Sequence, residues 1–406
     1  MAIFNKFQRT KQVAEILLRY GLDEFFERSN LEKWLPESLS NKLANESSGS
    51  VSVYERIRRA MEELGTTYVK LGQMLSDRRD LLPVEMITEL QKLQDKVEVQ
   101  PIDIAEKFQR ELGIDIHEHF EMLASEPMAS ASISQVFKGR LKNGQDVAVK
   151  IKREGIDEVI KADLLILQDL VNFLEQRNDI ISNLQPKALL NTFKESITTE
   201  LSLESERRSI ERFANNFKQD SRILVPQTYS NLSNNNILCM DFVYGSKVTN
   251  KAQIEQQGLL AKDVALLGLD LYMKQVFEFG FFHADPHPGN ILLTPDGRIA
   301  FIDLGAMGKL SPKERELLGN CLYYASQKNV RKIIETIKQL AVSYNVPNEK
   351  TLENDLSEIF MLLTESNLAG LDISELMNRF TKIMSENSII MPEGVYLLAK
   401  GFAQIE

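Results

Sequence analysis

The sequence predicts an α+β fold of two lobes, because strand patterns and helical patterns occupy separate stretches of the chain. Alternating apolar residues flank an Asn-Gly pair and predict a β-hairpin over residues 129–151, whereas the patterns on both sides have helical periodicity. We therefore expect four segments: an amphipathic and linker segment at 1–50, a helical extension at 51–127, a small lobe with strands and inserted helices at 128–245, and a mostly helical lobe at 246–406.

Composition and charge narrow the functional classes. The chain has 406 residues, 43% of them hydrophobic and 26% charged, which is typical of a globular protein with more than one packed core. The net charge of −10 argues against a nucleic-acid partner. Cys239 and Cys321 are not in a Cys-x-x-Cys pair, so we expect neither a disulfide framework nor a zinc site, and a reducing compartment such as the cytoplasm is favoured. No apolar run reaches the ~18 residues of a membrane span.

The first 30 residues alternate aromatic and basic side chains. Phe7, Ile16 and Tyr20 interleave with Arg9 and Arg19. One interpretation is a helix that lies on a membrane surface. The other is an ordinary helix that packs its apolar side on the body of the protein.

The stretch from His283 to Asn290, followed by Asp303, carries the main chemical signal. In this pattern Asp285 orients an acceptor group, while Asn290 and Asp303 hold Mg²⁺. The residues between them predict a hairpin, with strands at 291–293 and 299–302, that brings Asn290 and Asp303 to the same end. The alternative is structural: His283 and Asp285 cap a loop, and Asp303 ends a strand.

The strand patterns predict which residues would contact the phosphates of a nucleotide and which would contact its adenine base. Lys150 lies on the return strand of the 129–151 hairpin, where a lysine contacts the α- and β-phosphates. The bend before it reads Ala129-Ser130-Ala131-Ser132 and is not glycine-rich, so nucleotide geometry should differ from that of a common protein kinase. A hinge follows the strand that starts at 237, and its backbone near Asp241 and Val243 is expected to bind adenine.

Two further helices complete the prediction. Residues 186–217 read as one long helix with an apolar stripe, on which Glu200 and Glu206 point in different directions; one glutamate here should pair with Lys150. Ser311 begins a capping box soon after Asp303, which leaves no room for the long activation segment of a protein kinase.

A shorter signal precedes the strands. Lys70 and Gln73 would share one face of a helix. Gly72 between them weakens the helix, so it is expected to permit the close approach of another group.

Together these motifs resemble the UbiB family of atypical kinase-like proteins over about residues 53–406. The residues from Lys70 to Gln73 are similar to its Lys-x-Gly-Gln motif, and Ala129–Ser132 is similar to its Ala-rich loop. Glu200 and Glu206 fall on its Glu-x-Asp-x-x-x-Glu helix, although Ser202 stands where the family has Asp. The segment from His283 to Asn290, with Asp303, matches its catalytic and metal-binding set.

The resemblance implies a bilobal protein-kinase-like fold whose N-terminal helical extension folds over the active site. Lys70 and Gln73 would then occupy the place of a protein substrate, Glu200 would pair with Lys70, and Glu206 would pair with Lys150. It also implies ATP and Mg²⁺ as cofactors and a kinase or ATPase that supports isoprenoid-quinone (ubiquinone-like) lipid biosynthesis. Quinone-biosynthesis enzymes and a membrane surface would be its partners. Many members carry C-terminal membrane helices, so we expect this chain to be a shortened or soluble variant, peripherally associated with the membrane.

Two other functions are compatible with some of these motifs. A small-molecule phosphotransferase of the aminoglycoside or choline kinase type shares the loop at 283–290 but lacks the Lys-x-Gly-Gln helix. A pseudokinase scaffold would bind nucleotide without turnover, and the intact set of Lys150, Asp285, Asn290 and Asp303 argues against it.

Overall fold

The computed structural model describes residues 6–22, 51–76, 82–93, 98–175, 186–365 and 373–405. Much of the predicted segment 1–50, including its linker, lies outside the described residues. The chain forms two compact units. The first comprises residues 1–204 and 230–239, and the second comprises residues 205–229 and 240–406. The division into four segments stays a prediction.

Helices and strands alternate irregularly up to residue 241. The helices are α1 (Lys6–Arg19), α2 (Val53–Leu64), α3 (Thr66–Ser76), α4 (Val84–Leu90), α5 (Ile104–Leu112), α6 (Ile116–His119), α7 (Ile156–Glu175), α8 (Pro186–Glu200) and α9 (Leu203–Phe217). The strands are β1 (Phe120–Leu123), β2 (Ala129–Ser130), β3 (Ser134–Leu141), β4 (Asp146–Lys152), β5 (Ile223–Leu224) and β6 (Ile237–Asp241).

The rest of the chain is mainly helical, as predicted. Its helices are α10 (Lys251–Gln256), α11 (Ala261–Met273) with a π-helical continuation (Lys274–Phe279), α12 (Pro312–Ser326), α13 (Val330–Leu340), α14 (Glu349–Glu365), α15 (Ile373–Glu386) and α16 (Glu393–Ile405). Its strands are β7 (Ser246–Lys247), β8 (Phe281–His283), β9 (Ile291–Leu293), β10 (Ile299–Phe301), β11 (Met307–Lys309), β12 (Ser343–Tyr344) and β13 (Ile389–Ile390).

The first unit contains a sheet with the strand order β1-β3-β4-β6, and β2 pairs with β3. The predicted hairpin is confirmed as β3 and β4, which pair antiparallel with Arg140 opposite Asp146. Of the Asn-Gly pair in its turn, Gly144 has a positive φ (+87°), and the Leu141 N–H donates across the turn to the Gln145 carbonyl at 2.8 Å.

Helices α1, α2, α3, α7 and α8 enclose the main apolar core of the first unit. The apolar side of α1, with Val13 and Ile16, is buried in that core, so this helix packs on the body of the protein. A buried ion pair fixes it there: Arg9 Nε donates to Asp163 Oδ1 of α7 at 2.7 Å, and Thr67 Oγ1 of α3 donates to Oδ2 at 2.6 Å.

The prediction of one helix over residues 186–217 is wrong. The helix ends at Glu200 and restarts at Leu203. The interruption is held by the loop after α9, because Ser202 Oγ donates to the Asn235 side chain at 2.6 Å and the Leu203 N–H donates to the Asn235 carbonyl at 3.3 Å. The angle between Glu200 and Glu206 cannot therefore be taken from the 100° step of one helix.

The second unit buries its largest apolar cluster among α11 to α16. It also contains a sheet of order β5-β10-β9-β7 and the pair β8–β11. The predicted capping box is confirmed at the start of α12, where Ser311 Oγ accepts from the Glu314 N–H at 3.2 Å and Glu314 Oε2 accepts from the Ser311 N–H at 2.6 Å. None of the described helices is both long enough and apolar enough to cross a membrane.

Candidate functional site

The loop that carries Asp285 begins where β8 ends. Strand β8 pairs with β11, and His283 lies opposite Met307. Gly308 faces the ring of Phe282 so closely that a Cβ atom there would overlap it. Because β11 follows Asp303 in sequence, this pairing holds the segments around Asp285 and Asp303 together.

His283 connects the two aspartates. Its side chain is buried; Nδ1 accepts a hydrogen bond from the Asp285 N–H at 3.2 Å, and Nε2 lies 2.8 Å from the Asp303 carbonyl oxygen. Since Nδ1 accepts, Nε2 must carry the proton and donate, so we assign a neutral imidazole. The bond to the Asp285 N–H agrees with the structural alternative in which His283 caps a loop, and His283 also bridges to Asp303.

A short 3₁₀ turn places Asn290 after Asp285. The Asp285 carbonyl accepts from the His287 N–H at 2.7 Å, and the His287 carbonyl accepts from the Asn290 N–H at 2.8 Å. The His287 ring nitrogen Nδ1 accepts from the Gly289 N–H at 3.0 Å. These bonds fix the backbone of the loop, while the Asp285 side chain is only half-buried and remains accessible.

Asn290 and Asp303 lie at the same end of a hairpin, as predicted. Strands β9 and β10 pair antiparallel, and the Ile302 N–H donates to the Asn290 carbonyl at 3.0 Å. One carboxylate oxygen of Asp303 accepts from the Gly305 N–H at 3.0 Å. Carboxylate and amide oxygens are hard donors of the kind that Mg²⁺ prefers. Among the described residues, no group of three or more His, Cys, Asp or Glu side chains could hold a metal ion.

Glu206 lies beside Asp303 in the second unit. It is buried on α9, and its carboxyl carbon is 4.0 Å from the position that a Cβ atom on Gly305 would occupy. The same Cβ position on Gly305 would lie 3.3 Å from Asp303 Oδ1. An acidic side chain thus adjoins the predicted metal ligand, while the pairing of Glu206 with Lys150 stays a prediction.

The predicted hinge is braced through Asp241. Its carboxylate accepts from the Tyr229 hydroxyl at 2.8 Å and from the Gln227 N–H at 3.1 Å, and its own N–H donates to the Gln227 carbonyl at 2.8 Å. These bonds fix the backbone that leads to Val243. Adenine binding at Asp241 and Val243 stays a prediction.

Lys150 lies on β4 in the first unit. It is buried and stands opposite Val136 on β3. Both sides of β4 are buried from Val147 to Lys152, so burial does not alternate along the strand. A lysine in such a place requires negative charge nearby, and its contact with the α- and β-phosphates stays a prediction.

The Ala129–Ser132 bend is held by residues that the sequence analysis missed. The Ala131 N–H closes the bend on the Ser134 carbonyl at 2.9 Å. Arg153 Nε donates to the Ala131 carbonyl at 2.8 Å, and Thr66 Oγ1 of α3 donates to the Ser132 carbonyl at 3.2 Å. Neither Thr66 nor Arg153 belongs to a periodic pattern that could have indicated the contact.

The Lys-x-Gly-Gln helix is α3. Lys70 Nζ lies 2.7 Å from Glu200 Oε1, which is the ion pair that the family resemblance implies. Gln73 Nε2 makes a long hydrogen bond of 3.4 Å to the Leu93 carbonyl. The predicted close approach at Gly72 is confirmed, because a Cβ atom there would overlap the Leu93 side chain.

The predicted site residues thus form two sets. The first unit holds Lys70, Gln73, Ala129, Ser130, Ala131, Ser132, Lys150 and Glu200, and the second unit holds Glu206, Asp241, Val243, Asp285, Asn290 and Asp303. Within each unit, residues far apart in sequence are brought together, namely Lys70 with Glu200 and Asp285 with Asp303 through His283.

Comparison with known proteins places these sets in a family context. Residues 92–337 match the ABC1 atypical kinase-like domain. The chain is 35% identical to the Shewanella loihica protein named Probable protein kinase UbiB, over 77% of this chain and 58% of that protein. It is 34% identical to the Arabidopsis thaliana chloroplast protein Activity of BC1 complex kinase 3, over 75% of this chain and 46% of that protein. The chain therefore spans about half the length of these two relatives.

A solved structure has the same fold. The Mycobacterium tuberculosis protein Rv3197, solved in complex with erythromycin, superposes with a TM-score of 0.56 at 24% identity, over 91% of this chain and 93% of that one. At this identity the likeness establishes the fold alone. It agrees with the kinase-like α+β class predicted from the sequence.

Proposed function

This chain belongs to the ABC1 family of atypical kinase-like proteins, with UbiB among its homologues, and from that premise we propose that it binds Mg-ATP and acts as a kinase or ATPase supporting isoprenoid-quinone lipid biosynthesis at a membrane. The observation that carries the proposal is the bridge from Asp285 through His283 to Asp303, with Asn290 at the same end of the hairpin. An aspartate for the acceptor and two oxygen ligands for Mg²⁺ are recurring parts of kinase sites for phosphoryl transfer.

Each site residue has a proposed role. Asp285 orients the acceptor hydroxyl or water and accepts its proton, while Asn290 and Asp303 hold Mg²⁺, which supplies neutralising charge on the phosphates. Lys150 contacts the α- and β-phosphates and is paired by Glu206. The remaining nucleotide contacts are assigned to the Ala129–Ser132 bend for the phosphates and to the backbone at Asp241 and Val243 for adenine.

The proposed acceptor is small, lipid or water, not a protein. Strand β11 begins at Met307 and α12 begins at Pro312, so few residues separate Asp303 from packed structure. A conventional protein kinase uses a long segment here to cradle a peptide. The Lys70–Glu200 pair of the Lys-x-Gly-Gln helix favours the UbiB type over an aminoglycoside or choline kinase type.

The proposed setting is peripheral association with a membrane in the cytoplasm. Isoprenoid or quinone lipids and quinone-biosynthesis enzymes are the proposed partners, and the support is the kinship with UbiB. The net charge of −10 makes nucleic acid an unfavourable partner.

Replacing the predicted metal ligand tests the proposal. We expect Asp303→Asn to abolish Mg²⁺-dependent ATP binding and turnover, because it removes a charged Mg²⁺ ligand while leaving the size of the side chain unchanged. Calorimetric titration with ATP, with and without Mg²⁺, measures the effect. The matched control is Asp296→Asn in the turn of the same hairpin, where Asp296 pairs only with local groups, including Arg298 at 2.7 Å. A folded Asp303→Asn protein with unchanged Mg²⁺-dependent binding would refute the assignment.

A further inference from the structure

Arg153 is a buried cation at the Ala129–Ser132 bend. It follows directly after β4, and only 8% of it is exposed. Its guanidinium donates to the Ala131 carbonyl at 2.8 Å, to Ser130 Oγ at 2.7 Å and to the Glu98 carbonyl at 2.9 Å. The acceptors are all neutral, and within the part of the chain that the structure describes Arg153 forms no ion pair.

Other buried cations of the first unit have carboxylate partners. Arg9 pairs with Asp163 at 2.7 Å, Lys107 with Glu154 at 2.8 Å, and Lys152 with Asp157 at 3.2 Å. Neutral acceptors satisfy the hydrogen-bond donors of a guanidinium, but they do not balance its charge.

The pKa of Arg153 is also consistent with a cation that has no carboxylate partner among the described residues. Burial lowers the pKa of Arg153, and among the described residues no carboxylate acts in the other direction. The guanidinium nevertheless stays protonated at neutral pH, because its ordinary pKa is far above 7. A full positive charge is therefore held against the bend.

The bend also offers backbone donors. Ser132 and Ile133 are both buried. Their N–H groups donate to no acceptor among the described residues, whereas the Ala131 N–H is bonded to Ser134. Backbone N–H groups of buried residues almost always have a partner, and an acceptor bound at the bend would supply one for these two.

We propose that Arg153 positions the phosphate-binding bend and that its charge is balanced by the phosphates of a bound nucleotide. This inference rests on the proposed nucleotide binding and adds a residue to it. A glycine-rich loop can adapt its N–H groups to phosphates because glycine has wide conformational freedom. Alanine and serine lack that freedom, and here the fork of Arg153 fixes the carbonyl of Ala131 and the side chain of Ser130 so that the neighbouring N–H groups keep one orientation.

Two substitutions separate charge from geometry. Arg153→Met removes the charge and the fork, while Arg153→Lys keeps the charge and loses the fork. The matched control is Arg140→Met on β3, an exposed arginine that pairs with Asp146 at 2.7 Å. Affinities for ATP, ADP and adenosine are measured by calorimetry in the presence of Mg²⁺, and circular dichroism with thermal unfolding verifies that each variant is folded.

We expect Arg153→Met to weaken ATP and ADP binding at least about tenfold, as for the loss of a charged contact, and to leave adenosine binding unchanged. Arg153→Lys should lie between this variant and the wild type, and Arg140→Met should match the wild type. Higher salt should weaken ATP binding less in Arg153→Met than in the wild type, because one attraction is already missing.

Two other outcomes would contradict the proposed role of Arg153. An equal loss for adenosine and ATP would mean that Arg153 only shapes the fold, and unchanged ATP affinity would mean that its charge is irrelevant; either overturns the inference. If Arg153→Met does not fold, Arg153→Lys and Ser130→Ala carry the same comparison. If the wild type does not bind ATP, the proposed function itself is wrong. This result is known before any variant is made, so it is distinguished from a failure of the Arg153 proposal.

Discussion

The exposure of the Lys70 side chain limits how much its ion pair contributes to the stability of the protein. Its ammonium group is 2.7 Å from the Glu200 carboxylate, but 19% of the Lys70 side chain and 39% of the Glu200 side chain remain exposed. A pair in contact with water contributes up to about 1 kcal/mol, far less than a buried pair. Removing one partner of a fully buried ion pair lowers the free energy of unfolding by several kcal/mol, and a loss of that size is therefore not expected for Lys70.

We expect Lys70→Ala to lower the free energy of unfolding by only about 0.5 kcal/mol. It should nevertheless change nucleotide affinity or release self-phosphorylation, if α3 covers the acceptor site as the family resemblance implies. Gln73→Ala should act in the same direction. Urea unfolding and ATP titration measure the two effects.

The control for Lys70 is Arg19→Ala, which breaks the exposed pair between Arg19 and Glu63 at 2.6 Å. Its effect on stability should be similar, and ATP binding should not change. Wild-type behaviour towards ATP in both Lys70→Ala and Gln73→Ala would count against a role for α3 in the site.

Residue placement could be predicted where a local pattern carried the information. That Asn290 and Asp303 lie at the same end of one hairpin follows from the strand pattern between them, while the roles of Asp285, Asn290 and Asp303 stay predictions. The contacts of Thr66 and Arg153 with the Ala129–Ser132 bend could not be predicted. Thr66 lies 66 positions before Ser132, and Arg153, although it directly follows the strand that pairs with β3, belongs to no periodic pattern that indicates a side-chain contact.

At the scale of elements, caps and turns were predicted better than helix continuity. The hairpins and the capping box at Ser311 depend on nearest neighbours, so the sequence specifies them directly. The interruption between α8 and α9 depends on Asn235, which captures Ser202 and Leu203 from another part of the first unit. The apolar stripe continued across the break and hid it.

Helix α16 packs against the backbone at His283, where the loop that carries Asp285 begins. The Tyr272 hydroxyl donates to the His283 carbonyl at 3.1 Å, and the ring of Phe402 lies 5.3 Å from the ring of Tyr272. A Cβ atom on Gly401 would overlap the Tyr272 hydroxyl and would lie 3.2 Å from the His283 carbonyl oxygen. Only a glycine at position 401 allows this approach.

We expect Gly401→Ala to destabilise the protein by about 1–3 kcal/mol, because the added methyl group must displace Tyr272. Tyr272→Phe removes the overlapping hydroxyl, so the double variant should be more stable than Gly401→Ala alone, which is a non-additive result. Urea unfolding of the four proteins measures the coupling.

Gly319→Ala in α12 is the matched control, because a Cβ atom there meets nothing within 4 Å. It should stabilise the protein by up to about 1 kcal/mol through helix propensity alone. Additive effects of Gly401→Ala and Tyr272→Phe would show that the two side chains do not compete for the same space.

At the scale of the whole molecule, the sequence predicts the fold class more directly than it predicts which residues pack together. The chain passes between the units after Glu204, after Tyr229 and after Cys239, so α9 and β6 each span a boundary. Periodicity reports which side of an element is buried, but it does not report which core buries it. The four predicted segments follow the motifs of the sequence, and that division stays a prediction.

The last prediction concerns the acceptor. The Leu310 N–H donates to the Gly280 carbonyl at 2.9 Å, and β11 pairs with β8, so the stretch from Asp303 to α12 is committed to the body of the second unit. We expect no phosphorylation of added proteins or generic peptides, because no segment is available there to align a peptide backbone. Labelled ATP with peptide mixtures, compared with vesicles that contain quinone-precursor lipids, measures this. ATP consumption should respond to the vesicles and not to the peptides, and stoichiometric labelling of a peptide would assign the protein to the conventional protein kinases.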